Sequence, residues 1–92
     1  MPKRDYSNML CEIGKEGDLE LLKVLNSLNC DLNQSNYDGR TVGHMAASYE
    51  QFDLLQYLVQ ETDFNIQARD RREKTALDYV SEEARKELGI KT

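Results

Sequence analysis

Apolar residues recur along the chain in short helical bursts. Leu19, Leu22, Val24, Leu25 and Leu28 stand mostly three or four positions apart, and Phe52, Leu54, Leu55, Leu58 and Val59 follow the same rhythm. This spacing gathers the apolar side chains on one face of a helix. The pattern predicts helices over about 7–15, 18–28, 42–49, 52–60 and 76–87, with turns around 36–40 and 70–74. The tail ARKELGIKT has room for only a turn or two of helix, stopped by Gly89 at its C-terminal cap. Polar stretches, NCDLNQSN and DFNIQARD, close the first two Leu-rich segments.

The pattern also repeats. Asn36, Gly39 and Thr41 precede His44, Ala46 and Ala47; thirty-four residues on, Asp70, Glu73 and Thr75 precede Leu77, Asp78 and Val80. Thirty-three residues before Thr41 stands Asn8, followed by Leu10, Cys11, Ile13 and Gly17. Thr41 and Thr75 suit N-caps, because a hydroxyl accepts from an orphan first-turn amide. Thr75 with Asp78 reads as a capping-box-like start. Gly17 and Gly39 suit positive φ in tight turns.

A period of 33 to 34 residues built as turn, short helix, short helix resembles the ankyrin repeat. The segment NYDGRTVGHMAA over 36–47 carries the likeness most fully, and it extends over about residues 5 to 90. It implies an all-α solenoid of about two and a half repeats, one domain over 1–92 with units of about 5–35, 36–69 and 70–92. Three positions depart from the pattern. Gly43 stands where the family has Leu, so either a neighbouring helix approaches unusually closely there or the unit is weak. Glu50 and Glu73 stand where the pattern prefers Gly, which leaves their turn geometry open.

Composition narrows the function. The chain has 92 residues, 39% hydrophobic and 32% charged. A domain of this size buries about 60–65% of its unfolded surface. Apolar runs are far shorter than the roughly 20 residues of a transmembrane helix, and MPKRDYSNML has no apolar stretch of a secretory leader. The expectation is a cytoplasmic or nuclear protein that binds no membrane. Twelve Lys+Arg against seventeen Asp+Glu give a net charge of −5, which argues against nucleic acid. Cys11 and Cys30 lack zinc-site spacing and read as reduced, packed thiols.

His44 is the only histidine. Catalysis or metal binding would need partners, and the chain has no second His, no HExxH, no GxSxG and no phosphate-cradling loop. The family resemblance implies that His44 ties adjacent turns together through hydrogen bonds. No enzyme, no metal and no cofactor is therefore expected. The resemblance implies instead a protein-binding module acting through turn tips and the concave first-helix face. The candidate residues are Tyr37, Asp38 and Arg40 at one tip, Arg71, Arg72 and Lys74 at the next, and Met45, Tyr49 and Tyr79 on the first helices, with Glu12 and Lys15 beside them. Tyr, Arg and Met are enriched in interface cores. The basic cluster ARDRREK suits a partner with an acidic segment. The alternative is a regulatory or self-associating segment of a larger protein, similar to the ankyrin tails of glutaminases, asparaginases and plant potassium channels.

Overall fold

The computed structural model describes residues 6–89; residue 5, where the first unit is expected to begin, and residues 90–92 of the last unit lie outside them. Helices α1 (Ser7–Glu16), α2 (Leu19–Ser27), α3 (Val42–Ser48), α4 (Phe52–Glu61) and α5 (Glu82–Leu88) alternate with turns, and a 3-10 turn spans Ala76–Tyr79. No strand occurs among the described residues. The chain is all-α, as the periodicity predicts.

Local chemistry sets each boundary. Asp18 caps α2 by accepting from the Leu21 amide at 3.2 Å. Thr41 caps α3, with its hydroxyl accepting from the His44 amide. Gly89 ends α5 at φ 68°. The helix expected over 76–87 is a correction: it breaks at Val80, which is extended at φ −107° and ψ 134°. Two local bonds explain the break. The Asp78 carboxylate accepts from the Thr75 amide at 2.8 Å and holds a short 3-10 turn, while Ser81 starts a separate helix by accepting from Ala84 at 3.2 Å.

Helix α1 packs on α3, and α3 packs on the 3-10 turn, so the first helices of successive hairpins form a layer. Leu10, Ile13, Leu22, Leu25, Val42, Ala46, Leu54, Leu55 and Leu58 fill the core. A Cβ on Gly14 would come within 2.6 Å of the Val42 carbonyl oxygen, so α1 and α3 are too close for any side chain there. At Gly43 the close neighbour is the Phe64 ring rather than a helix. A Cβ would sit 2.6 Å from it.

The turn tips repeat bond for bond. Asn36 Oδ1 accepts from the amides of Asp38 at 2.9 Å and Arg40 at 3.1 Å. Thirty-four residues later Asp70 Oδ1 accepts from Arg72 at 2.9 Å and Lys74 at 3.0 Å. The Arg71 amide donates to the Asp38 carbonyl at 2.7 Å, and the Asn65 amide to Asn33 Oδ1 at 2.7 Å. These bonds lace one tip to the next and fix their spacing. Both tips need a left-handed residue: Gly39 has φ 72° and its counterpart Glu73 has φ 63°. Gly17 and its counterpart Glu50 stand at 71° and 58°. The left-handed turn survives the loss of glycine at both sites.

Candidate protein-binding groove

Between the tips at 36–40 and 70–74 runs a groove of about 470 Å³, lined by Asp38, Arg40, Asp70, Arg71, Arg72 and Tyr79. Its floor is rigid. The Tyr79 hydroxyl donates to Asp70 Oδ2, while Asp70 Oδ1 holds the tip amides. Arg40 lies 4.9 Å from the Tyr79 ring centroid and donates to Ser48 Oγ at 2.7 Å, and Lys74 Nζ stands 6.0 Å above the same ring. Arg40 Nε is buried with no hydrogen-bond partner among the described residues. The tips therefore present cations around an aromatic floor.

Four cationic side chains, Arg40, Arg71, Arg72 and Lys74, stand at the groove against two carboxylates, Asp38 and Asp70. Burial pushes the Asp70 carboxyl up, but the Tyr79 hydroxyl and the amides of Lys74 and Arg72 outweigh it and hold it below the ordinary carboxylate range. The bond to Asp70, followed by burial, pushes the Tyr79 phenol up. Asp70 thus spends its acceptors internally. Arg71 and Arg72 are exposed, and neither side chain has a hydrogen bond or ion pair among the described residues. Their donors face outward unspent.

His44 lies outside this groove, buried behind the tips. Its Nε2 stands 2.8 Å from the Lys74 carbonyl oxygen, and its Nδ1 3.1 Å from the Thr41 amide nitrogen and 2.9 Å from Thr41 Oγ. A carbonyl only accepts, so Nε2 carries the proton and Nδ1 accepts. Both nitrogens are committed, and His44 has no free lone pair for a metal or a substrate proton.

The family model for ankyrin repeats matches three copies over residues 9–88. The chain belongs to the ankyrin-repeat family. Relatives include the potassium channel SKOR of Arabidopsis thaliana, 42% identical over 69 residues, covering 75% of this chain and 8% of the channel. The L-asparaginase of Dirofilaria immitis is 34% identical over 73 residues, covering 78% and 12%, and the putative glutaminase 2 of Caenorhabditis elegans is 32% identical over 76 residues, covering 83% and 13%. The chain therefore spans between 8% and 13% of the length of these relatives, and the two enzymes match it only over the repeat region. Among solved structures, a chain of the complex between a predatory endopeptidase and an immunity protein from Bdellovibrio bacteriovorus superposes with a TM-score of 0.69. That likeness, at 22% identity, covers 89% of this chain and 46% of the other, and it shares the fold.

On this ankyrin frame the sequence candidates fall into four places. Asp38, Arg40, Arg71, Arg72 and Tyr79 line the groove, and Lys74 stands over its floor. Tyr37 is 97% exposed but faces the other side of its tip, beside Ser7 and Asn8. Tyr49 ends α3, half exposed, with Lys15 Nζ 5.5 Å from its ring centroid; Glu12 is exposed on α1. Met45 is a correction: it is 8% exposed, packed toward Gly14. The seven-residue α3 lies between α1 and the 3-10 turn, which leaves Val42 to Ala47 without an open face. Asp70 was not among the sequence candidates, although its register with Asn36 was readable. As an acid in place of an amide, it also fixes Tyr79.

No described helix is long and apolar enough to cross a membrane.

Proposed function

We propose that this chain is a non-catalytic ankyrin module that captures a partner protein along the groove between its turn tips, through an acidic segment of that partner. The observation carrying this reading is the pair of outward Arg71 and Arg72 guanidinium groups, unspent beside a floor that Asp70 holds still. Guanidinium forks match carboxylate geometry, and a rigid floor lowers the ordering cost of docking. The 34-residue recurrence of the tip bonds supports units of about 5–35, 36–69 and 70–92 within one domain. Free Cys11 and Cys30 suit a reducing compartment, cytoplasmic or nuclear.

The test uses a fluorescent polyglutamate peptide and a pull-down from source lysate read by mass spectrometry. R71E with R72E is expected to abolish capture of both while leaving the circular dichroism unchanged. Retained binding would move the site off the tips. A second reading, regulation of a larger parent protein, is favoured by the small share of each relative's length that this chain spans.

A further inference from the structure

Four aliphatic side chains at one end of the array are exposed: Met9 at 43%, Leu21 at 37%, Val24 at 50% and Leu28 at 66%. Leu21, Val24 and Leu28 form an i, i+3, i+7 stripe along α2 and its C-cap, the spacing of a helix–helix seam.

The chain's own register identifies Met9, Leu21 and Val24 as junction positions, whereas Leu28 corresponds to Glu61, which is exposed inside the array. Thirty-three residues on, Met9 corresponds to Val42 and Leu21 to Leu54, which are 0% and 1% exposed. Val24 corresponds to Tyr57, whose hydroxyl accepts from Asn26 of the preceding hairpin at 3.2 Å and whose ring centroid lies 5.6 Å from Lys23 Nζ. The same positions are therefore covered inside the array and bare at its α2 end. The other end is different. After Tyr49 no large apolar side chain among the described residues is exposed, and α5 carries Glu82, Glu83, Lys86 and Glu87 outward. Head-to-tail stacking of copies would press the stripe onto those charges.

We propose that this face receives a second copy of the chain, stripe against stripe across a two-fold axis near Val24. Such a contact covers apolar surface with apolar surface and closes at two copies. A nine-residue α2 is about 13 Å long, so the interface belongs to the small, transient class. Each copy carries −5, so salt should tighten the dimer by screening the repulsion. Acidic-peptide capture at the groove should weaken with salt, which separates the two surfaces.

Sedimentation velocity from about 10 μM to 1 mM, a range set by the weak affinities of small interfaces, is expected to show monomer passing to dimer, more so at high salt. L21E with V24E should raise the dissociation constant at least about tenfold with helical circular dichroism retained. V24K alone, at a half-exposed position, gives the same reading should the double variant lose its fold. Val24→Cys should yield a disulfide-linked dimer that the wild-type chain does not. A monomer throughout the range, or a dimer untouched by these substitutions, overturns the proposal.

Discussion

Cys11 and His44 hold the same place in successive hairpins, each reaching a carbonyl oxygen of the next tip. Cys11 Sγ stands 3.6 Å from the Arg40 oxygen, and His44 Nε2 stands 2.8 Å from the Lys74 oxygen. A thiol is a weak donor and an imidazole N–H a good one. The second junction therefore has the stronger clamp. Burial pushes the Cys11 thiol up, with an opposing pull from Arg40, so it stays protonated and unreactive.

The clamp sets the first prediction. H44A removes a fully buried ring, orphans the Lys74 carbonyl and takes a partner from the Thr41 amide. The expected cost is about 2–4 kcal/mol, or a Tm drop of roughly 10–25 °C for a domain of this size. C11A should cost about 1–2 kcal/mol, since it loses a weak bond and a small volume. Thermal unfolding by circular dichroism compares them. Equal losses would remove the distinction between the clamps.

Why was so much of this architecture readable? The Leu-rich stripes and the capping residues act locally, so periodicity finds them. Thr41 and Gly39 act through bonds within a few residues, and His44, although its bond to the Lys74 carbonyl is distant, stands at the fixed spacing of the repeat. The misses came from contacts that no local rule contains. Met45 has an ordinary helical position, yet two neighbours cover a helix too short to keep a free face. The break at Val80 depends on two side-chain bonds, from Asp78 and Ser81, competing with one long helix. In the groove, the arginines were visible as a charge cluster, whereas the Asp70–Tyr79 bond depends on bringing a tip beside the 3-10 turn.

The left-handed glutamates give a second prediction. Glu50 at φ 58° and Glu73 at φ 63° hold a conformation costing an L-residue about 1 kcal/mol or more. Glycine removes that cost but adds unfolded-state freedom. E50G and E73G should each stabilise by about 0.5 kcal/mol, measured by urea denaturation. The reverse change at the matching site, G39A, should destabilise, because its Cβ would meet the Arg71 nitrogen at 3.1 Å with φ at 72°. Stabilisation by G39A would mean the turn relaxes in solution.

Gly43 and Phe64 should be energetically coupled. A Cβ at 43 would stand 2.6 and 2.7 Å from two Phe64 ring carbons, too close for the packed ring to absorb without moving. Helix propensity alone favours G43A by about 1 kcal/mol, and the clash should reverse that to a net loss of about 1–3 kcal/mol. In an F64L background the loss should shrink or change sign, at the separate cost of F64L. A double-mutant cycle reads the coupling directly. Additive effects would mean that Phe64 is not what keeps position 43 a glycine.

The Asp70–Tyr79 bond makes stability depend on pH at both ends. Asp70 is held below its ordinary value, about 3.9 for a free aspartate. Above that pH neither folded nor unfolded chain binds the proton, and the full contribution is present. As pH falls below it, the unfolded state protonates first, so stability is lost until pH passes the depressed folded value. Tyr79 is displaced the other way, upward. Its contribution is complete below about pH 10 and is lost as pH rises through the raised folded value. Asp78, lowered chiefly by the Thr75 amide, adds to the acid slope independently of Tyr79. The difference in urea midpoint between wild type and Y79F therefore isolates the pair. It should be flat through neutral pH, narrow below about pH 4 as Asp70 is protonated, and narrow again above about pH 10. A difference that stays constant from acid to alkali would mean that the hydroxyl and the carboxylate do not hold each other in solution.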